Sequence, residues 1–207
     1  MNVILYGATG KAGSRILNEL NTRGHKVTAV ARDLSKLPAG VTGKQDDLSD
    51  VNKIAATLAG ADAVVSAYGP PQEDTDQLIG VTGRLIDAVK QAGNLRLIVV
   101  GGAGSLEVAP GVSLLASGHL PAPWLPIATS HEKALKLLQA SSIDWTYFSP
   151  AAFFEPGERT GKFRLGTTNL VADEKGQSRI SMEDYAIALV DELEKPAHRH
   201  AQFTIGY

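Results

Sequence analysis

Short runs of apolar residues alternate along the chain with stretches in which apolar residues recur every three or four positions. The runs predict buried strands, and the helical spacing predicts amphipathic helices between them. The predicted strands of the first 148 residues are 3–6, 27–31, 41–45 (the weakest), 63–67, 95–100 and 143–148. Regular strand–helix alternation predicts an α/β fold with a doubly wound parallel sheet, the Rossmann fold.

The pattern is less regular in two later stretches. Residues 106–127 contain four prolines and predict a loop that covers a pocket or forms an oligomer contact. Residues 151–176 predict a second irregular segment. A T-x-x-E box at Thr129 predicts the start of one helix, and an S-x-x-D box at Ser181 predicts the start of the last.

These elements predict a single domain. We expect residues 1–150 to form a cofactor-binding core and residues 151–207 to form a small C-terminal substrate lobe within one domain spanning 1–207.

The first predicted strand runs directly into a glycine turn and a helix. Gly7, Gly10 and Gly13 follow a G-x-x-G-x-x-G spacing. In a dinucleotide-binding turn, the first glycine allows the sharp bend, the second lets the backbone approach a pyrophosphate, and the third lets the helix pack closely on the strand. Free N–H groups of the helix then face the phosphates. The alternative is a tight turn that binds nothing.

The residues after the second strand indicate which nucleotide is bound. An acidic residue at this point holds a ribose 2′-hydroxyl, whereas an arginine accommodates a 2′-phosphate. Arg32 stands there, and a guanidinium matches phosphate oxygens, so NADP is favoured and NAD is the alternative. Asp33 is the competing acid, although it could instead cap a turn through Ser35.

Further candidates follow the third and fourth strands. Asp47 could accept from the adenine amino group, although a helix-capping acid is the alternative and Asp50 fits that role better. The loop after the fourth strand should lie over the middle of the cofactor. The predicted cofactor-binding residues are Gly7, Thr9, Gly10, Lys11, Ala12, Gly13, Arg32, Asp47, Leu48, Ala67, Tyr68 and Gly69.

Three glycines among residues 101–104 follow the fifth strand. They predict that the backbone passes very close to another group, for which the nicotinamide ring is the candidate. A flexible turn is the alternative.

Composition narrows the class of protein. The 207 residues are 43% hydrophobic and 20% charged, with a net charge of −2 and no cysteine. This composition is typical of a globular protein, offers no basic tract for nucleic acid, and excludes disulfides, thiolate metal sites and cysteine nucleophiles. A strand at residue 3 leaves no room for a signal segment, and no apolar run suffices for a membrane span. We therefore expect a cytoplasmic protein.

Several stretches together resemble the atypical short-chain dehydrogenase/reductase family. The chain is similar to its small NAD(P)H-binding branch of NADH-flavin reductases, NmrA-like proteins and biliverdin reductase B. The matching stretches are residues 7–13, 30–33, 100–106, 144–146 and 180–186. The resemblance implies nucleotide binding but leaves the reaction open.

The chain departs from the larger family at its Tyr-x-x-x-Lys pair. Lys133 fits the lysine and could hold the nicotinamide ribose, with a solvated helix lysine as the alternative. Thr129 stands at the tyrosine, and its hydroxyl is too weakly acidic for that role. His131 aligns with a histidine of the biliverdin reductase B branch and could form a hydrogen bond or donate a proton. Ser105 occupies roughly the zone of the family's serine. The catalytic candidates are therefore Ser105, His131 and Lys133, with no metal site.

The expected function is hydride transfer from NADPH to a flat acceptor, such as a flavin (FMN or FAD) or a quinone. Such an acceptor delocalises the incoming charge, so a missing tyrosine matters little. Pro70, Trp124, Phe153 and Phe154 could supply flat apolar walls. The alternative is an NmrA-like sensor that binds nucleotide without turnover, while sugar-nucleotide epimerisation is disfavoured. A homodimer is plausible.

Overall fold

The structure, a computed structural model, describes residues 1–207. Its strands are β1 (Asn2–Tyr6), β2 (Lys26–Ala31), β3 (Thr42–Gln45), β4 (Ala63–Ser66), β5 (Arg96–Val100), β6 (Glu107–Ala109), β7 (Val112–Ser113), β8 (Trp145–Ser149), β9 (Phe153–Glu155), β10 (Arg164–Gly166), β11 (Arg179–Ser181) and β12 (Ala201–Gly206). Its helices are α1 (Lys11–Thr22), α2 (Val51–Leu58), α3 (Gln77–Gln91), α4 (Leu125–Gln139) and α5 (Met182–Glu194).

Eight strands form the central sheet, in the order β10-β12-β8-β5-β4-β1-β2-β3. All neighbours are parallel except β10 and β12 at one edge. The predicted Rossmann fold is confirmed. The strand order reverses around β1, which pairs with β2 on one side and β4 on the other, and ligands bind beyond the carboxyl ends of strands at such a switch point.

Helices cover both faces of this sheet. Along β1, Val3 and Leu5 face the cluster beneath α1 and α5, whereas Ile4 and Tyr6 face the cluster beneath α2, α3 and α4. The period of two places apolar residues on both faces, which explains why the strands read as continuous apolar runs. No helix combines the length and apolar character needed to cross a bilayer.

The predicted start of α4 at Thr129 is wrong. The helix begins at Leu125, four residues earlier, with Pro126 in its first turn. Proline is well suited to this position, where its missing N–H is not needed. Thr129 therefore lies within the helix, and the T-x-x-E pattern caps nothing.

Both irregular segments contain short strands. Within 106–127, β6 and β7 form a small antiparallel pair. Within 151–176, β10 joins the edge of the central sheet, and β9 pairs with β11, which lies just beyond the segment, in a separate two-stranded sheet. The predicted cap at Ser181 is confirmed, since its Oγ accepts from the Asp184 N–H at 3.0 Å.

Candidate nucleotide and acceptor site

A groove of about 400 Å³ lies at the carboxyl ends of β1, β2 and β4. The strand order reverses there, so no neighbouring helix fills the crevice. Eleven of the twelve predicted cofactor-binding residues line it: Gly7, Thr9, Gly10, Lys11, Ala12, Arg32, Asp47, Leu48, Ala67, Tyr68 and Gly69. Gly13 lies behind the wall.

The glycine turn at the floor of this groove depends on close backbone contacts. Gly7 has a φ of +76°, which favours glycine, and a Cβ on Gly13 would lie 2.0 Å from the Gly7 carbonyl oxygen. The Gly10 N–H donates to that same oxygen at 3.0 Å. Gly10 caps α1 without a side chain, and the first turn carries no acidic residue. The N-terminus of α1 therefore presents N–H groups and positive potential to an anion.

The residue directly after the second strand is an unpaired cation. Arg32 lines the groove, and its guanidinium forms no salt bridge. Asp33, in contrast, accepts from the Ser35 N–H at 3.0 Å and from its hydroxyl at 2.6 Å. Asp33 thus caps the turn through Ser35, and Arg32 is the charged residue of this pair that faces the groove.

The first turn of α1 contributes a second cation. Lys11 also lines the groove, whereas Arg15 is paired with Glu183 at 2.9 Å.

The wall after β3 includes one residue in an unusual conformation. Leu48 has a φ of 63°, which is uncommon for a non-glycine residue. Two contacts hold it there: its N–H donates to Asp46 Oδ1 at 2.8 Å, and its carbonyl accepts from Arg84 Nε at 2.5 Å. Such a conformation persists where the surroundings impose it, and it is often found at binding sites.

Two neighbouring aspartates stand at this wall. Asp47 is exposed and accepts from the hydroxyl of Ser49 at 2.6 Å and from its N–H at 3.1 Å, and these hydrogen bonds lower the pKa of its carboxyl group. Asp50 caps α2, as the alternative interpretation of this segment expected. Sequence reasoning missed Asp46, which is buried in the groove wall, with Oδ2 lacking any partner.

A second cavity of about 310 Å³ adjoins the groove and shares Gly101, His131 and Phe154 with it. Its remaining lining residues are Gly102, Ala103, Gly104, Leu114, Leu120, Trp124, Ile127, Ala128, Pro150, Ala152, Phe153 and Glu155. The wall is largely apolar, and no lysine or arginine contributes to it. Trp124 and Phe153, two exposed residues of this lining, meet edge to face with centroids 6.2 Å apart. Pro70 lines neither cavity.

The glycine turn after β5 forms the boundary between the two cavities. A Cβ on Gly101 would lie 2.4 Å from the Tyr147 ring, one on Gly102 would lie 3.0 Å from the His131 ring, and one on Gly104 would lie 3.0 Å from Ala128 Cβ. The predicted close approach exists, but the groups approached are the protein's own side chains. The open face of the same turn lines both cavities.

Of the three catalytic candidates, only His131 reaches the cavities. Ser105 Oγ instead accepts from Gln202 Nε2 at 2.8 Å. The Lys133 side chain is 51% exposed, with Nζ 4.0 Å from Asp76 Oδ1. Neither residue lines the groove or the second cavity.

Hydrogen bonds of one buried serine hold α4 where it presents His131. Ser130 is fully buried, and its hydroxyl lies 2.8 Å from Asp76 Oδ1 and 3.0 Å from the Thr75 hydroxyl, at the start of α3. His131 follows directly along the chain.

His131 contacts a buried phenol that sequence reasoning missed. Tyr147, in β8, places its hydroxyl oxygen 3.0 Å from His131 Nδ1 and 3.1 Å from the Gly102 N–H. Burial raises the pKa of Tyr147 above its ordinary value and lowers the pKa of His131 to about 4. Both side chains are therefore neutral at neutral pH. Tyr147 sits in an apolar strand and resembles a core residue, so no sequence signal marks it.

Comparison with known proteins is consistent with this geometry. A family model described as NAD(P)H-binding matches residues 7–196. YwnB of Bacillus subtilis, an uncharacterised protein, is 41% identical over 99% of this chain and 98% of its own length.

Two solved structures have the same fold as this protein over its whole length. A protein of Burkholderia pseudomallei, proposed to be exported, superposes with a TM-score of 0.93 at 47% identity, covering 100% of both chains. A protein of Streptococcus pneumoniae, proposed to be an NADH-flavin reductase, superposes with a TM-score of 0.89 at 33% identity, covering 100% of this chain and 99% of its own.

Proposed function

Because the chain belongs to the NAD(P)H-binding family, we propose that it is an NADPH-dependent oxidoreductase that reduces a flat acceptor, such as a flavin or a quinone. The observation that carries the proposal is the pair of adjoining cavities. One suits a dinucleotide, the other suits an apolar ring, and they share Gly101, His131 and Phe154.

The groove offers suitable partners for three parts of NADP: the pyrophosphate, the 2′-phosphate and the adenine. The Gly7–Gly10 turn and the N-terminus of α1 provide donors for a pyrophosphate. Arg32 is free for a 2′-phosphate, which favours NADP over NAD. Asp47 is the candidate acceptor for the adenine amino group, because Ser49 uses only one of its two carboxylate oxygens.

The second cavity determines the kind of acceptor. Its apolar wall suits a planar ring, and Glu155 is its only acidic residue. NADPH, when bound, supplies a hydride from its nicotinamide ring. The protein's task is to hold two rings in contact, at roughly 3–3.5 Å, and to exclude water from between them.

A proton donor contributes little to such a reaction. A flavin or quinone spreads the incoming charge over its ring, and solvent can then supply the proton. His131 has a pKa of about 4, because burial disfavours its charged form, so it is not a cationic acid at neutral pH. This agrees with the replacement of the family's tyrosine by Thr129.

The test is to mix the protein with NADPH and one acceptor (riboflavin, FMN or 1,4-naphthoquinone) and to follow the loss of NADPH absorbance. We expect turnover, with kcat/KM higher for riboflavin than for FMN, because no cation of the cavity pairs with the FMN phosphate. Glu155→Lys should narrow that difference, whereas Glu73→Lys, at an exposed residue outside both cavities, should not. Absence of turnover with every acceptor would refute the proposal.

That last outcome would favour a nucleotide sensor. Calorimetry then distinguishes the two functions, since a sensor should bind NADP⁺ and NADPH with different affinities and consume neither.

A further inference from the structure

The hydrogen bonds around Tyr147 determine which nitrogen of His131 carries the proton. The Tyr147 oxygen has three neighbours: the Gly102 N–H at 3.1 Å, His131 Nδ1 at 3.0 Å and the His131 carbonyl oxygen at 3.2 Å. A phenol donates one hydrogen and accepts through its lone pairs.

Only one assignment of hydrogens satisfies all three contacts. The carbonyl oxygen of His131 can only accept, so the phenol must donate to it. The Gly102 N–H can only donate, so it uses one lone pair of the phenol oxygen. His131 Nδ1 must then donate to the remaining lone pair and carry the ring proton. If the phenol donated to Nδ1 instead, two oxygen atoms would face each other at 3.2 Å with no hydrogen between them.

The other ring nitrogen is left for a ligand. Every hydrogen bond of the His131 side chain within the protein uses Nδ1, and the ring lines both cavities. A neutral imidazole with its hydrogen on Nδ1 has an unprotonated Nε2, which can accept a hydrogen bond but cannot donate one.

We propose that Tyr147 is a positioning residue that holds His131 as the Nδ1–H tautomer, so that Nε2 accepts a hydrogen bond from a ligand N–H at the junction of the two cavities. The ligand part rests on the proposed function, whereas the tautomer does not. Two groups could supply the N–H: the carboxamide of the nucleotide and the imide of a flavin-type acceptor. His131 thus selects a ligand that presents a donor and is not the proton source.

Nitrogen NMR tests the tautomer without turnover. In ¹⁵N-labelled protein at pH 7, a long-range ¹H–¹⁵N spectrum separates protonated from unprotonated ring nitrogens, and His131→Gln identifies the His131 signals among the five histidines. We expect a protonated Nδ1 in the wild type and a shift towards protonated Nε2 in Tyr147→Phe.

A matched control removes a different buried hydroxyl. Tyr185 donates to the Phe148 carbonyl at 2.6 Å, and Tyr185→Phe should leave the His131 tautomer unchanged. A protonated Nε2 in the wild type would overturn the proposal even if Tyr147→Phe failed to fold. An unchanged tautomer in folded Tyr147→Phe would overturn it as well.

Two pairs of ligands identify the source of the N–H. If it is the carboxamide, NADP⁺ should bind several-fold more tightly than its 3-acetylpyridine analogue, and Tyr147→Phe should reduce that preference. If it is the acceptor, the two nucleotides should bind alike and lumiflavin should have a lower KM than 3-methyllumiflavin. If neither NADP⁺ nor lumiflavin is preferred over its analogue that lacks the N–H, the ligand part is refuted. Failure of every acceptor to react would refute only the proposed function.

Discussion

The two ends of the parallel sheet differ in whether their charged side chains form ion pairs. At the amino end, Arg96 begins β5 and is buried. Its two terminal nitrogens bind the carboxylate and carbonyl of Glu192 and the hydroxyl of Thr146, and only Nε lacks a partner. At the carboxyl end, Arg32 and Lys11 line the groove without ion pairs, and Asp46 Oδ2 is buried without a partner.

The difference separates stability from binding. A buried charge without a partner is costly, so the amino end pairs its charges inside the protein. The carboxyl end leaves the cations of the groove without an ionic partner, which an anionic ligand can then supply. Binding sites are commonly less stable than the scaffold that carries them.

Breaking the buried pair at the amino end should have the largest effect. Glu192→Ala removes the partner of Arg96 and the acceptor for the Ala197 and His198 N–H groups. We expect a loss of about 3–5 kcal/mol in the free energy of unfolding, measured with urea.

The control is an exposed pair. Glu132 contacts Lys136 at 3.3 Å, and Glu132→Ala should cost less than about 1 kcal/mol. NADPH affinity of the folded Glu192→Ala protein should match the wild type. A loss of affinity as large as the loss of stability would contradict the separation of the two ends.

Acid should destabilise the carboxyl end through His131. Its pKa is about 4 in the folded protein and about 6.5 when unfolded, because burial disfavours the charged form. As the pH falls from 6.5 to 4, His131 therefore becomes protonated in the unfolded chain but stays neutral in the folded protein. Stability is fully present above pH 6.5 and should fall by about 3 kcal/mol at most across this window. His131→Gln should lack this component, and equal slopes for both proteins would rule it out.

Closing the glycine turn should abolish tight nucleotide binding. In Gly13→Ala, the new Cβ would lie 2.0 Å from the Gly7 carbonyl oxygen and displace the turn that we propose binds the phosphates. We expect NADPH affinity to fall by about 100-fold, or about 2.7 kcal/mol. Gly83 is also helical, but a Cβ there would meet no heavy atom within 4 Å, so Gly83→Ala should bind NADPH normally. Calorimetry measures both, and unchanged affinity in Gly13→Ala would place the nucleotide elsewhere.

The smallest effect should be on cofactor choice. Arg32→Glu places a carboxylate where we expect the 2′-phosphate, and NADPH binding should weaken about 10-fold or more relative to NADH. Lys36 lies outside the groove with its side chain 69% exposed, so Lys36→Glu should leave the ratio unchanged. Equal losses for both nucleotides in Arg32→Glu would argue against this role.

Local patterns made the groove at the carboxyl ends of β1, β2 and β4 predictable. The strand, glycine turn and helix follow one another within residues 3–20, so their spacing alone indicates a shared geometry. The choice between Arg32 and Asp33 depends on a local contact, because Asp33 binds the turn through Ser35. Contact between Arg32 and a 2′-phosphate stays a prediction.

The acceptor side was less predictable because its contacts are distant in sequence. Tyr147 meets His131 only when β8 packs beside α4 and Gly101 leaves space for the ring. The T-x-x-E pattern at Thr129 predicted the wrong start for α4. Capping depends on where a helix begins, and α4 begins earlier, at Leu125, with Pro126 in its first turn.

Hydride transfer from a nicotinamide held in this groove can be tested with stereospecifically deuterated NADPH. The protein should oxidise NADPH with riboflavin as the acceptor, and deuterium at one of the two C4 positions, but not at the other, should slow the reaction. Equal rates for both labelled forms, or oxidation no faster than in the absence of protein, would contradict the account.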